Sequence, residues 1–135
     1  MASILPQAIL FNILFCVAIG NVYAQDKSTC DGLWKYTHLD KAKGLPADVE
    51  VQINGEAGTY LAHLGQHKKA NSPCRDVKFP VAVSRCTAEE LDFHVDGESY
   101  MQGCPTFDAL FKRTGPDTAE GTISRDQTVT MTRDK

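Results

Sequence analysis

Apolar and polar residues alternate with a period of two through much of the chain, which is the pattern of half-buried β-strands. The clearest alternation covers residues 48–53, with the sequence DVEVQI, and is followed by an Asn-Gly pair at 54–55. This pair is a strong signal for a tight hairpin turn. We therefore predict a strand over residues 48–53 and a return strand over 58–63, with Tyr60 facing Val49.

Similar alternation recurs along the rest of the chain at spacings of roughly ten residues, as in small all-β domains. Further strands are predicted over residues 32–38, 79–85, 87–95, 106–113, 119–123 and 128–132. The glycine and proline of residues 41–47 predict a loop. Two segments also carry helical signals: residues 87–90 match a helix capping box, and residues 106–113 have apolar residues at helical spacing. Because the neighbouring segments are predicted strands, we favour a strand for both. The pattern predicts an all-β fold, a small antiparallel barrel or sandwich of about eight strands.

The segment between Cys86 and Cys104 is predicted to be a hairpin around which the rest of the chain is organised. The Asp-Gly pair at 96–97 tolerates a positive φ, so it is expected to form the turn. On this hypothesis Phe93 lies opposite Tyr100, and the two cysteines meet at the base of the hairpin.

Residues 1–24 are predicted to be a signal peptide. An apolar run over residues 8–19 is too short to span a membrane, and Val22 and Ala24 supply small residues before a cleavage site. Cys16 is then apolar filler within this segment. The sequence thus predicts a secreted or periplasmic protein with a single domain over residues 25–135.

Four cysteines lie beyond the predicted signal peptide, an even number that indicates two structural disulfides in an oxidising compartment. They are Cys30, Cys74, Cys86 and Cys104. The hairpin geometry favours Cys86–Cys104 together with Cys30–Cys74. The alternative is Cys30–Cys86 with Cys74–Cys104, which follows if residues 97–104 form a loop.

The net charge and the motifs of the sequence argue against nucleic-acid binding, metal binding and catalysis. With 14 basic and 17 acidic residues, the net charge of −3 argues against a nucleic-acid partner. His63 and His67 are four residues apart, but Gly65 interrupts any helix there, so no metal site is expected. An acidic cluster is expected to be a solvated sheet face; its members are Glu89, Glu90, Asp92, Asp96 and Glu98. Since no nucleophile or phosphate-loop motif occurs, we expect no cofactor and no catalysis.

The Gly32-Leu33-Trp34 segment resembles the Gly-x-Trp opening of the lipocalin and avidin class of barrels, the calycin-type folds, in which it also lies on the first strand. The resemblance implies that Arg133, at the end of the last strand, lies over Trp34. It also implies a barrel whose interior could take a small apolar ligand. Because Trp34 is the only tryptophan, an avidin-like tryptophan cage for biotin is excluded.

Two functional hypotheses follow. The first is a non-catalytic binding module that recognises another extracytoplasmic protein through surface loops, for example as an inhibitor of an extracellular hydrolase such as a lysozyme or protease. A rigid disulfide-linked scaffold suits this role because it reduces the ordering cost of a loop that enters a cleft. The candidate contacts lie in the long irregular stretch at 65–78. They are His67, Lys68, Lys69, Asn71 and Arg75.

The second hypothesis is a carrier of a small hydrophobic ligand inside the barrel. Its candidate lining consists of apolar and aromatic residues on the inward faces of the predicted strands. These residues are Trp34, Tyr36, Val51, Tyr60, Phe93 and Tyr100.

Overall fold

The computed structural model describes residues 30–40, 45–63, 73–123 and 127–135, and every regular element within them is a β-strand. The strands are β1 (Gly32–Asp40), β2 (Leu45–Asn54), β3 (Ala57–His63), β4 (Lys78–Cys86), β5 (Glu90–Val95), β6 (Phe107–Gly115), β7 (Thr118–Ile123) and β8 (Gln127–Arg133). Each strand pairs antiparallel with the next, and β8 pairs with β1, so the sheet closes into a barrel. The predicted all-β fold of eight antiparallel strands is confirmed. The predicted signal peptide lies outside the described residues.

The hairpin of β2 and β3 forms where it was predicted, but its register differs. Asn54 pairs with Ala57, so the turn consists of Gly55 and Glu56, and Tyr60 lies opposite Val51 and not Val49. Gly55 has a φ of 65°, a left-handed conformation that glycine adopts without strain. Moving the turn by one residue shifts every cross-strand pair by two positions.

The loop predicted over residues 41–47 is shorter than expected. β1 continues to Asp40 and β2 begins at Leu45, and these two residues are still paired with each other. Leu39 lies opposite Pro46, and proline is accepted in this strand although it cannot donate a hydrogen bond. Residues 41–44 lie outside the described ranges.

The predicted hairpin between Cys86 and Cys104 is wrong. β5 ends at Val95, residues 98–103 form turns, and Phe93 pairs with Ala109 of β6 instead of Tyr100. The reason lies at Gly97, which is buried so close to the backbone of Pro105 that a Cβ atom would collide with its carbonyl oxygen. The glycine therefore permits the two ends of a loop to meet, and does not form a hairpin turn.

The preferred disulfide pairing is wrong for the same reason. The disulfides are Cys30–Cys86 and Cys74–Cys104, the alternative that follows when residues 97–104 are a loop. Cys86 ends β4, whereas Cys104 lies beyond the far end of β5, so the length of a strand separates them. Each bond links segments at one end of the barrel.

The two segments with helical signals are resolved differently. The predicted strand over 106–113 is confirmed, with residues 107–113 in β6. Residues 87–89 form a bend, in which the Thr87 hydroxyl accepts hydrogen bonds from the backbone N–H groups of Glu89 and Glu90. The predicted strand thus begins only at Glu90. The hydrogen bonds expected of a capping threonine do form, but they stabilise the turn between β4 and β5 and not a helix.

Inward-facing side chains fill the middle of the barrel. Phe93 of β5 and Phe111 of β6 stack with ring centroids 5.9 Å apart, and Trp34, Leu91 and Met131 are fully buried around them. Among the described residues, no polar or charged residue is buried by the same measure. The core is therefore almost entirely apolar, and burial of this surface is the main stabilising contribution to the fold.

One end of the barrel is closed by Trp34, and we call it the tryptophan end. The indole N–H of Trp34 donates to the Cys30 carbonyl oxygen at 2.8 Å. The guanidinium groups of Arg133 and Arg113 lie 5.0 and 5.8 Å from the centre of the indole ring. Arg133 also donates to Asp117 at 2.9 Å and to two backbone carbonyls. The position predicted for Arg133 over Trp34 is confirmed.

We predict that Arg133→Ala destabilises the barrel by about 2–4 kcal/mol, because it removes a cation–π contact and the hydrogen bonds to Asp117, to the Asp31 carbonyl and to the Pro116 carbonyl. Arg85→Ala is the matched control, since Arg85 is half-exposed on the outer wall and pairs with Glu90 and Asp92. It should cost less than about 1 kcal/mol. Urea unfolding of both variants measures this, and equal losses would contradict the proposed role of Arg133.

Candidate functional site

A cavity of about 240 Å³ lies at the other end of the barrel, which we call the open end. Its lining comes from β1, β3, β6, β7 and the loop that precedes β6. The lining residues are Tyr36, His38, Tyr60, Pro105, Phe107 and Ile123. We refer to this cavity as the open-end pocket.

The alternation of β1 positions one wall of the pocket. Trp34, Tyr36 and His38 share the inward face, so β1 changes from indole to phenol to imidazole as it runs from the tryptophan end to the open end. The Tyr36 ring packs on Phe111 with centroids 6.0 Å apart. Phe111 belongs to the core, so the core forms the floor of the pocket.

The opposite wall is aromatic and aliphatic. Tyr60 contacts the edge of Phe107 with ring centroids 5.4 Å apart, and Ile123 is buried at the end of β7. Pro105 follows Cys104, whose disulfide to Cys74 ties the loop before β6 to the segment before β4. The disulfide therefore helps to position this wall of the pocket.

Two phenols provide the polar chemistry of the pocket. Tyr36 is 4% exposed and Tyr60 is 7% exposed. Burial raises the pKa of Tyr36 strongly, and the neighbouring Tyr60 raises it further. Burial also raises the pKa of Tyr60, although its interaction with Tyr36 opposes this. Both side chains therefore stay neutral at physiological pH and can donate or accept hydrogen bonds.

The rim of the open end carries exposed apolar side chains. Tyr100 is 62% exposed in the loop between β5 and β6, and its ring meets Phe79 edge-on at 5.9 Å. Leu39, near the end of β1, is 48% exposed. The rim thus combines an aromatic residue that contacts Phe79 with an aliphatic residue near the end of β1, a strand that pairs with β2 and β8.

The residues proposed to line a ligand site separate into three groups. Tyr36 and Tyr60 lie in the open-end pocket. Trp34, Val51 and Phe93 are core residues at the tryptophan end and in the middle of the barrel, each at most 1% exposed. Tyr100 lies outside the interior, because the loop that carries it is not a strand. Four of the six pocket residues were missed; His38, Phe107 and Ile123 could have been found from their inward alternation, but nothing local indicated Pro105.

One of the five predicted protein contacts, Arg75, lies in the described part of the chain. His67, Lys68, Lys69 and Asn71 lie outside the described residues. Arg75 is described, and its side chain is partly buried with its Nε 3.7 Å from a carboxylate oxygen of Asp76. Arg75 therefore belongs to the segment that the Cys74–Cys104 disulfide secures.

The acidic residues do not converge on one site. Arg85 pairs with Glu90 at 2.6 Å and with Asp92 at 3.8 Å on the outer wall. Asp96 instead accepts a hydrogen bond from the backbone N–H of Ser99 and so stabilises the loop. Within residues 30–40, 45–63, 73–123 and 127–135, no three histidine, cysteine or acidic side chains are grouped so that they could hold a metal ion.

His63 takes part in a different arrangement near the open end. Its Nδ1 lies 3.0 Å from Asp76, and its Nε2 lies 3.5 Å from Glu50. Partial burial would lower the pKa of His63, but the hydrogen bonds and charges of Asp76 and Glu50 outweigh this and raise it. The three residues link β2, β3 and the segment before β4.

Comparisons with known proteins identify no relative: no protein-family model, curated protein or solved structure matches this chain. In the part of the chain that the structure describes, no helix is long and apolar enough to cross a membrane. The two disulfides are typical of an oxidising or extracellular environment. Functional inference therefore depends on the geometry of the site.

We predict that the contribution of His63 to stability decreases as the pH rises. A raised folded-state pKa means that this contribution is fully present below the unfolded-state pKa of about 6.5 and is lost as the pH passes the folded-state value. The stability difference between the wild-type protein and His63→Gln should therefore shrink between about pH 5.5 and pH 8.5. Urea unfolding across this range measures it.

The matched control is Asp76→Asn. Asp76 has a φ of 54°, which asparagine tolerates well, so this variant removes the charge without straining the backbone. An NMR titration of the His63 ring should give a lower pKa in this variant than in the wild-type protein. An unchanged titration would contradict the role of Asp76.

Proposed function

We propose that this protein is a non-catalytic binding module that holds a small, largely apolar ligand in the open-end pocket. The observation that carries the proposal is the composition of the pocket, with Phe107, Ile123 and Pro105 as apolar walls and two buried phenols as its polar groups. Concave, mostly apolar sites with a few polar groups are the usual form of small-molecule sites.

The volume of the pocket limits the size of the ligand. Its 240 Å³ exceeds the cavity of roughly 150 Å³ that takes up benzene in a protein core. It is smaller than the roughly 300–1,000 Å³ of sites for drug-sized molecules. The core around Phe93 and Phe111 blocks deeper entry, because those rings are already stacked and buried. A ligand with one ring or a short chain fits these limits.

We also propose that the protein is related to the calycin-type barrels and acts outside the cytoplasm. Three observations support the relationship: closure by eight antiparallel strands, the Gly32-Leu33-Trp34 segment on β1, and Arg133 over the indole ring. The two disulfides and the apolar run at residues 8–19 support export to an oxidising compartment.

Ile123→Trp should block the pocket, because it adds an indole ring to a wall of a small cavity. Ethylbenzene is a suitable one-ring apolar probe, and its binding can be followed by chemical-shift changes of pocket residues in ¹H–¹⁵N NMR spectra. The wild-type protein should bind it with shifts confined to the open end, and the variant should lose at least about tenfold in affinity.

Leu110→Trp is the matched control, because Leu110 is 62% exposed on the outer wall and does not line the open-end pocket. This variant should bind ethylbenzene as the wild-type protein does. If the wild-type protein shows no shifts at the open end, or if both variants bind equally well, the proposed pocket function is wrong.

A second candidate function is recognition of another protein by the rim of the open end. Exposed Tyr100 and Leu39 favour it, since aromatic residues are enriched in protein interfaces. The Cys74–Cys104 disulfide holds the Tyr100 loop, so little order would be lost on binding. The proposed partner is an extracellular hydrolase such as a lysozyme or protease, and the proposed contacts also include His67, Lys68, Lys69, Asn71 and Arg75.

Inhibition assays against a lysozyme and a trypsin-like protease test this second candidate. The wild-type protein should inhibit one of them, and Tyr100→Ala and the double variant Lys68→Ala/Lys69→Ala should each weaken inhibition by about tenfold or more. Leu110→Ala should have no effect, because Leu110 is as exposed as Tyr100 but lies away from the rim. Absence of inhibition by the wild-type protein would exclude these two partner classes.

A further inference from the structure

The Tyr36 hydroxyl is fully buried and makes no hydrogen bond of regular geometry in the described structure. Its polar neighbour is Tyr60, whose hydroxyl is close enough to affect the ionisation of Tyr36. Because the Tyr36 hydroxyl is enclosed and both tyrosines line the same pocket, the Tyr60 oxygen is the acceptor toward which Tyr36 can donate.

A phenol has a single proton to donate, and it can accept a hydrogen bond at the same oxygen. If the Tyr60 oxygen receives the proton of Tyr36, its own proton needs another acceptor. Among the described residues, no side chain or backbone group accepts a hydrogen bond from Tyr60. Because Tyr60 lines the pocket, a ligand atom there can be that acceptor.

We propose that the open-end pocket selects neutral ligands that carry a carbonyl oxygen. This oxygen accepts a hydrogen bond from Tyr60, whose own oxygen accepts the proton of Tyr36. This inference rests on the proposed pocket function and adds the chemical class of the ligand. The apolar walls of Phe107, Ile123 and Pro105 contact the hydrocarbon part of the ligand.

The charge of the lining explains the preference for a neutral ligand. Among the described residues, no lysine or arginine lines the pocket. A carboxylate bound there would lose its hydration without gaining a fixed positive charge, which is strongly unfavourable. Of the described lining residues, His38 alone could carry a positive charge, so a carboxylate ligand has to be part of the test.

Three probes of similar size separate the contributions: ethylbenzene, acetophenone and benzoate. Isothermal titration calorimetry or NMR titration at pH 7.5 gives their affinities for the wild-type protein. Acetophenone should bind about tenfold more tightly than ethylbenzene, because it satisfies a buried donor that the hydrocarbon leaves unpaired. Benzoate should bind more weakly than acetophenone.

Tyr60→Phe should remove the preference for acetophenone but keep ethylbenzene binding, which also shows that the pocket is still folded. Tyr100→Phe is the matched control, because it removes an exposed phenol from the rim and should change neither affinity. If Tyr60→Phe does not fold, Tyr36→Phe replaces it and should reduce the preference by roughly two- to fivefold.

The outcomes distinguish this inference from the pocket function. If ethylbenzene and acetophenone bind equally to the wild-type protein, or if the preference survives in Tyr60→Phe, the pocket function stands and the carbonyl selectivity is wrong. Tighter binding of benzoate would also overturn the selectivity. If no probe binds at the open end, the pocket function itself is wrong.

Discussion

The short seam between β1 and β8 is the contact on which the rest of the structure depends. Among the described residues, only Trp34–Arg133 and Lys35–Thr132 are paired across it, whereas β1 and β2 pair along the full length of β1. Two side-chain interactions strengthen this short seam. Arg133 lies over Trp34, and Lys35 forms an ion pair with Asp134 at 2.5 Å. Closure here pairs part of the edges of β1 and β8, and open edges are sites of unwanted strand pairing.

Closure also makes the two ends of the barrel chemically different. At the tryptophan end, an indole, two guanidinium groups and the Cys30–Cys86 disulfide occupy the space. At the open end the inward positions carry phenols, an imidazole and an isoleucine, which leave a cavity. A barrel of eight strands has little room for a ligand once its core is filled, so any bound molecule has to be small and lie near one end.

At the open end, the chain is also held by a disulfide, which responds to redox conditions, and by a histidine contact, which responds to pH. The Cys74–Cys104 disulfide and the His63–Asp76 contact both secure the segment before β4. The disulfide reaches across to the loop that carries Tyr100 and Pro105, so it connects the exposed rim with the wall of the pocket. A ligand in the pocket and a protein at the rim would therefore meet the same supporting segment.

The sequence by itself determined the strands, because period-two alternation is a local property that reports which face each residue buries. It identified Tyr36 and Tyr60 as inward residues, and the Gly-x-Trp segment correctly placed Arg133 over Trp34. Only the tertiary structure decided the disulfide pairing and the position of Tyr100. The pairing and the position of Tyr100 both depend on whether Gly97 forms a hairpin turn or lets a loop close against Pro105. The contact with Pro105, eight residues away in the chain, decides between these two conformations. The pocket likewise required the barrel to close, since its lining comes from strands that are distant in sequence.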